Sequence, residues 1–295
     1  MLLKEYKRSI KMTDAEEILD LIFYRPIAFL FVKGIYQLPI TPNQVTLLSL
    51  VAGLIAAWYF ALADGTAFVS AALWYALANV LDCSDGQLAR LQNSGTHFGR
   101  VVDGGVDYIS SLAIFLGVGI GMSRSGQEQW WLVSATMISS AIHAIFFDHY
   151  QNEYISMVRG EKNFLEREID RFTTELRKLE TSHRYGLQQF VLRLYLRYLN
   201  LQKISSTKRG AAMFVPDHYR ARNSLMIRLW SFLGPTMNRS TLIGCALAGR
   251  VDLYLWAIMI PGNCWMVLCY LLQKRIHRLM EEDAFAEASL EHAQG

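Results

Sequence analysis

Six apolar runs constrain this chain more than any other feature: about 43–63, 67–90, 97–122, 129–149, 224–248 and 251–275. A helix rising about 1.5 Å per residue needs roughly 20 apolar residues to cross a hydrocarbon core of about 30 Å, and each run is near that length. Hydrophobic residues make up 52% of the 295 and charged residues only 19%, and the charges are segregated. They collect at the N-terminus (KEYKRSIK), in a block from about 151 to 222, and near the C-terminus (QKRIHRLMEED). That pattern excludes an ordinary soluble domain and implies an all-α integral membrane protein with six transmembrane helices.

The first run starts about 40 residues in and lacks a small-residue cleavage site, so it is expected to remain in the mature protein. With both termini inside, the short outer loops carry only Arg124 and Arg250, and the basic clusters fall on the cytoplasmic side. The membrane is then a bacterial or archaeal inner membrane or a eukaryotic endomembrane. A net charge of +3 is too small to argue for nucleic acid, and basic residues at span ends suit anionic headgroups. Cys83, Cys245, Cys264 and Cys269 lack metal-ligand spacing and read as buried thiols.

The chain divides into N-terminal cytoplasmic and interfacial helices (1–42), crossings one to four (43–150), a cytoplasmic helical insertion (151–222), crossings five and six (223–278) and a tail (279–295). TDAEEILDLIFY predicts a helix capped by Thr13, and PIAFLFVKGIYQL predicts an interfacial amphipathic helix too short to span. TPNQVT opens the first crossing, whose Gly53, Ala56 and Ala57 offer a thin face for packing. Trp130 and Trp131 mark the interface where the fourth begins. In the insertion, Leu165, Ile169, Phe172, Leu176 and Leu179 alternate steps of four and three, and a second amphipathic run, GLQQFVLRLYLRYLNLQK, follows, which predicts an antiparallel helical hairpin.

Four aspartates stand out in LDCSDGQLARLQNSGTHFGRVVDGGVDY, because each ionisable residue in a span costs roughly 2.5–3.5 kcal/mol. Asp82, Asp85, Gly86 and Ala89 fall on one face of the second crossing, and Gly99, Asp103 and Asp107 on one face of the third. The QNSG turn makes these helices antiparallel neighbours, so the acid faces meet. Carboxylates converging without countercharge repel one another, and divalent cations resolve the conflict. All-oxygen ligands favour Mg²⁺ or Mn²⁺ over zinc, and two carboxylates per helix suffice for two ions bridging phosphate oxygens. Pairing of the acids with Arg90 and Arg100 would account for two of them at most.

The pattern Asp82-x-x-Asp85-Gly86-x-x-Ala89-Arg90, eight residues, Gly99-x-x-x-Asp103-x-x-x-Asp107 resembles the signature of the CDP-alcohol phosphotransferase family at every fixed position. The six-span map and TPNQVT are also similar to that family, while the charged central block departs from it. The resemblance implies transfer of a phosphoalcohol group, often phosphatidyl, from a CDP-alcohol to an acceptor hydroxyl with release of CMP. It implies that Asp82, Asp85, Asp103 and Asp107 bind two metal ions and that Asp107 is the general base. It implies nucleotide contacts from Gly86, Ala89, Arg90 and Gly99, with Asn43 and Thr46 as further candidates, and a homodimer.

The acceptor stays open among inositol, inositol phosphate, glycerol phosphate, serine and, with CDP-choline or CDP-ethanolamine as donor, diacylglycerol. Arg100, Arg228 and Arg239 favour CDP-diacylglycerol with a polar, phosphorylated acceptor. Positive-inside bias accounts for Arg220 and Arg222 but poorly for Arg239. His97, His143 and His149 read as hydrogen-bonded structural residues. A prenyltransferase of the UbiA type would carry a first aspartate motif absent here, and a divalent-cation transporter would carry polar residues through the other half of the spans.

Overall fold

The computed structural model describes residues 2–10, 12–95, 97–160, 164–181, scattered positions from 186 to 200, and 215–294. Regular structure among them is helical: α1 (Leu2–Ser9), α2 (Arg25–Ile35), α3 (Pro42–Leu62), α4 (Gly65–Gln92), α5 (His97–Arg124), α6 (Trp130–Val158), α7 (Phe164–Thr181), α8 (Pro216–Trp230), α9 (Pro235–Leu247), α10 (Val251–Ala257) and α11 (Asn263–Gln294). A π-helical turn, Asp20–Tyr24, leads into α2, and another, Ile258–Gly262, joins α10 to α11 around Pro261. The chain forms two compact units, 1–147 with 231–265, and 148–230 with 266–295.

Five helical runs are long and apolar enough to cross a membrane: Pro42–Leu62, Gly65–Gln92, Val101–Arg124, Trp130–Val158 and Val251–Asp283. The fifth crossing expected at 224–248 is not one helix. It breaks at a 3₁₀ turn, Ser231–Leu233, followed by Gly234 and Pro235. Proline has no N–H to continue a helix but suits a first helical position, so α9 starts anew and runs only 13 residues. The helix expected from Thr13 also starts late: residues 13–16 form turns, and helix begins at Ile18. The acids there are engaged elsewhere, Glu16 with Arg25 and Glu17 with α9.

Local chemistry fixes the helices that hold the acids. At the start of α3, Thr41 and Gln44 form a reciprocal capping box, with Pro42 in the first turn. Ala63, in the left-handed region at φ 61°, ends α3, and the Asp64 carboxylate then accepts the Ala67 N–H at 2.6 Å to cap α4. Asn93, at φ 50°, ends α4 at the expected turn. The thin face of α3 packs on α5 as the sequence suggests. A Cβ at Gly117 would strike the Ala57 carbonyl, one at Gly121 the Phe60 carbonyl, and one at Gly53 the Ser110 hydroxyl. The core of this unit includes Ala52, Ala56, Phe60, Ala71, Ala72, Leu88, Ile114 and Val118. Leu47, Leu48, Val51 and Trp58 point outward and exposed, which suits lipid better than water.

In the second unit, Phe172 of α7 is buried. Arg193 pairs with Glu180 at 2.8 Å, and the Gln189 amide donates to the Leu179 carbonyl at 3.0 Å, so the segment after the turn folds back on α7. Most of the second amphipathic run lies outside the described residues. Cys83 and Cys269 are buried as expected, whereas Cys264 is exposed.

Candidate active site

The helical phase of the acids decides the site. On α4, Asp82 and Asp85 stand one turn apart; on α5, Asp103 faces them, and ligand oxygens of all three lie within 4.8 Å of one another. Asp85 is buried, and its Oδ2 accepts the Thr46 hydroxyl at 2.5 Å, which ties α3 to the cluster. Asp103 Oδ1 is buried with no hydrogen-bond partner among the described residues. A buried anionic oxygen left without a donor is costly. An all-carboxylate set with an uncompensated oxygen fits a hard divalent cation held by Asp82, Asp85 and Asp103.

The fourth aspartate is engaged differently. Arg239 of α9 donates from Nη1 to Asp82 Oδ2 at 2.8 Å and to Asn79 Oδ1 at 2.9 Å, and from Nη2 to Asp107 Oδ1 at 2.6 Å. Its side chain is 11% exposed, so the guanidinium is a nearly buried cation lying across both acid helices. Arg239, expected as an acceptor ligand, is thus brought to the carboxylates themselves. Asn79 was missed, although it lies three residues before Asp82 and so on the same face of α4.

The expected nucleotide residues divide. Gly86 and Ala89 flank the acids on α4, and a Cβ at Gly86 would lie 3.3 Å from Arg90 Nη2, so the bare glycine makes room for that guanidinium. Arg90 Nε donates to the Ser9 carbonyl at 2.5 Å. Gly99 begins the acid row on α5. Thr46 reaches the cluster through Asp85, whereas Asn43 is exposed at the start of α3. Arg100 lies on α5, but its side chain is outside the described residues, and Arg228 lies on α8, in the second unit, whereas the acids belong to the first.

The N-terminal segment brings further charges against α4 and α9. Arg25 pairs with Glu16 at 2.5 Å and Asp20 at 3.8 Å, and the Gln87 amide donates to the Arg25 carbonyl at 3.1 Å. Glu17 accepts the backbone amides of Thr236 and Met237 at 3.2 and 3.0 Å. Burial, with the Asp20 carboxyl adding to it, pushes Glu17 up to about 8, against the pull of those amides and of Arg239. Burial also raises Asp20, and Arg25 opposes the shift.

His143 is buried, and its Nε2 lies 3.1 Å from the Asn263 side-chain oxygen, which also accepts the Ser139 hydroxyl at 2.7 Å. It is hydrogen-bonded as expected. His97 opens α5 with its side chain outside the described residues.

Residues 39–165 match the family model for CDP-alcohol phosphatidyltransferase, the family that the aspartate signature resembles. The chain is similar to a phosphatidylinositol phosphate synthase of Corynebacterium glutamicum, 35% identical over 112 residues that cover 38% of this chain and 44% of that protein. It is also similar to an archaetidylinositol phosphate synthase of Pyrococcus horikoshii, 32% identical over 108 residues, 37% of this chain and 54% of that one. A phosphatidylinositol phosphate synthase of Mycobacterium bovis is 29% identical over 145 residues, 46% of this chain and 61% of that one. The matches thus span between 44% and 61% of these relatives' lengths.

Proposed function

We propose that this membrane protein transfers a phosphatidyl-type group from a CDP-alcohol to the hydroxyl of an inositol phosphate, releasing CMP at the cytoplasmic face. The observation that carries the reading is the meeting of Asp82, Asp85 and Asp103 across α4 and α5, inside the segment that matches the family. The acceptor is argued from the relatives, named for making inositol phosphate lipids, and from Arg239 beside the acids.

Mg²⁺ or Mn²⁺, two ions in this reading, would supply neutralisation of the pyrophosphate charge and so make its phosphorus more electrophilic. The protein supplies the rest. Asp82, Asp85 and Asp103, with Asp107 helping at the second ion, would hold the ions, and the Thr46 hydroxyl orients Asp85. Asp107, 38% exposed, is open enough to meet an acceptor hydroxyl and takes its proton as the new P–O bond forms and the bond to CMP breaks. Arg239 keeps Asp107 and Asp82 oriented and offers its remaining donor capacity to an acceptor phosphate. Gly86, Ala89 and Gly99 leave the helix faces bare for the nucleotide, with Arg90 beside Gly86 to contact it. Asn43, at the exposed start of α3, is a further nucleotide contact, and Arg100 is a further acceptor contact. In this reading the protein acts as a homodimer in the bilayer.

CMP release from CDP-diacylglycerol by purified protein with Mn²⁺ or Mg²⁺, screened against inositol phosphate, inositol, glycerol phosphate and serine, tests the reading. Release that needs both metal and inositol phosphate supports it. Release with another acceptor overturns the acceptor, and no release from any CDP-alcohol overturns the reaction.

A further inference from the structure

The segment ahead of residue 39 lies outside the family match, yet it bonds to Arg90 and to the helix that carries Arg239. Glu17 is only 6% exposed, and its two carboxyl oxygens take the amides of Thr236 and Met237. These are the second and third residues of α9, whose N-cap position is Gly234. A helix leaves its first amides without partners, and the N-cap side chain ordinarily supplies the acceptor. Gly234 has no side chain to offer, and a Cβ there would overlap the Glu17 carboxyl group. The cap therefore comes from a residue 219 positions earlier in the chain. On the other arm, the Ser9 carbonyl holds Arg90 Nε.

We propose that Glu17 is a positioning residue for Arg239: by capping α9 it fixes the first turn from which the guanidinium reaches Asp82 and Asp107. This rests on the functional reading above and makes the N-terminal segment part of the active unit. Arg239 follows Met237 by two residues, so the capped turn and the arginine are one rigid piece of helix. The guanidinium must meet three acceptors at 2.6–2.9 Å on two other helices, a geometry that a small shift of α9 breaks. Tyr24, from the same segment, adds a tether, its hydroxyl lying 3.0 Å from the Ser240 hydroxyl of α9.

The test compares wild type with Glu17→Ala, Glu17→Gln, Gly234→Ser, Glu17→Ala/Gly234→Ser, Arg239→Ala and Glu17→Ala/Arg239→Ala, all full length. Two quantities are read: Mn²⁺ affinity of the protein alone by electron paramagnetic resonance, and KM for the acceptor. Arg239→Ala, which removes a cation from the carboxylates, tightens Mn²⁺ binding. Glu17→Ala shifts it the same way, by up to about tenfold, roughly 1.4 kcal/mol, and raises the acceptor KM. It adds nothing when Arg239 is already alanine. Glu17→Gln keeps an acceptor oxygen in place and stays near wild type. Gly234→Ser is harmful alone, because its Cβ meets Glu17, but restores Glu17→Ala, where the serine caps α9 itself.

A Glu17→Ala protein that is merely less stable, with wild-type Mn²⁺ affinity and KM, makes Glu17 a structural cap only and overturns the inference. If Glu17→Ala does not fold, Gly234→Ser decides, and wild-type values there overturn it equally. Should wild type release no CMP, the functional reading fails alone, since the Mn²⁺ comparison still decides the positioning.

Discussion

Removing Arg239 probes the charge arrangement at the site most directly. Arg239→Ala deletes two charged hydrogen bonds to carboxylates and one to Asn79. A hydrogen bond to a charged group contributes about 1.5–3 kcal/mol. Side-chain exposure is 11% for Arg239, 23% for Asp82 and 38% for Asp107, so solvent screens the Asp107 pair and the upper end of that range does not apply. The metal-free variant should therefore lose about 2–4 kcal/mol of stability. The same deletion leaves carboxylates facing one another, and a divalent cation should bind them more tightly than in wild type. At a hundred times its Kd a ligand stabilises by about 2.7 kcal/mol, and each further tenfold in affinity adds about 1.4 kcal/mol. Denaturant unfolding of detergent-solubilised protein, with chelator and then with Mn²⁺, should show the gap between wild type and variant narrow by at least that last amount. An equal gap in both conditions, or weaker Mn²⁺ binding by the variant, refutes the reasoning.

Asp85→Asn and Asp103→Asn should each lower CMP release by more than about a hundredfold, and metal-free Asp103→Asn should unfold no more easily than wild type, since Asp103 has a buried oxygen with no donor among the described residues. Thr46→Val should cost about 1–2 kcal/mol and weaken Mn²⁺ binding, because Asp85 loses the donor that orients it; unaltered Mn²⁺ affinity would count against that role. Gly117→Val should cost about 1–3 kcal/mol or more by driving a side chain into the α3 backbone, measured as lower thermal stability of the purified protein. Glu17 is raised from 4.5 to about 8 in the folded chain, so its contribution to stability is complete below about pH 4.5 and is lost as pH climbs through about 8. Relative to Glu17→Gln, wild type should weaken across that window, and a flat difference from pH 5 to 9 contradicts the shift.

The sequence makes legible what is local and periodic. Asp82, Asp85 and Asp103 could be placed together because two helices of period 3.6 joined by a short turn have little freedom in which faces meet. The start of α3 was readable for the same reason, since Thr41, Pro42 and Gln44 act within four residues. What escaped depends on distant partners. Nothing in TDAEEI marks Glu17 as the cap of a helix that begins at Pro235, and its acids read instead as the first turn of a helix of their own. Arg239 was conspicuous as a charge in an oily run, but its partners are set by how α9 meets α4 and α5. The break at Gly234–Pro235 was hidden by the same averaging that finds spans, because two residues scarcely lower the hydropathy of a window of about 19.

The shortness of α9 carries a consequence for the lipids around it. At about 1.5 Å per residue its 13 residues rise only about 20 Å, some 10 Å less than a typical hydrocarbon core. A bilayer meeting so short an element thins locally or lets polar groups sink along it. Arg239 lies one turn inside the capped end of α9, where the water boundary would bend inward. In the proposed transfer, a lipid donor beside that end would bring its phosphate toward the aspartates with its chains still in hydrocarbon. Acyl chain length of the host membrane then becomes a determinant of turnover, and thinner bilayers should favour it.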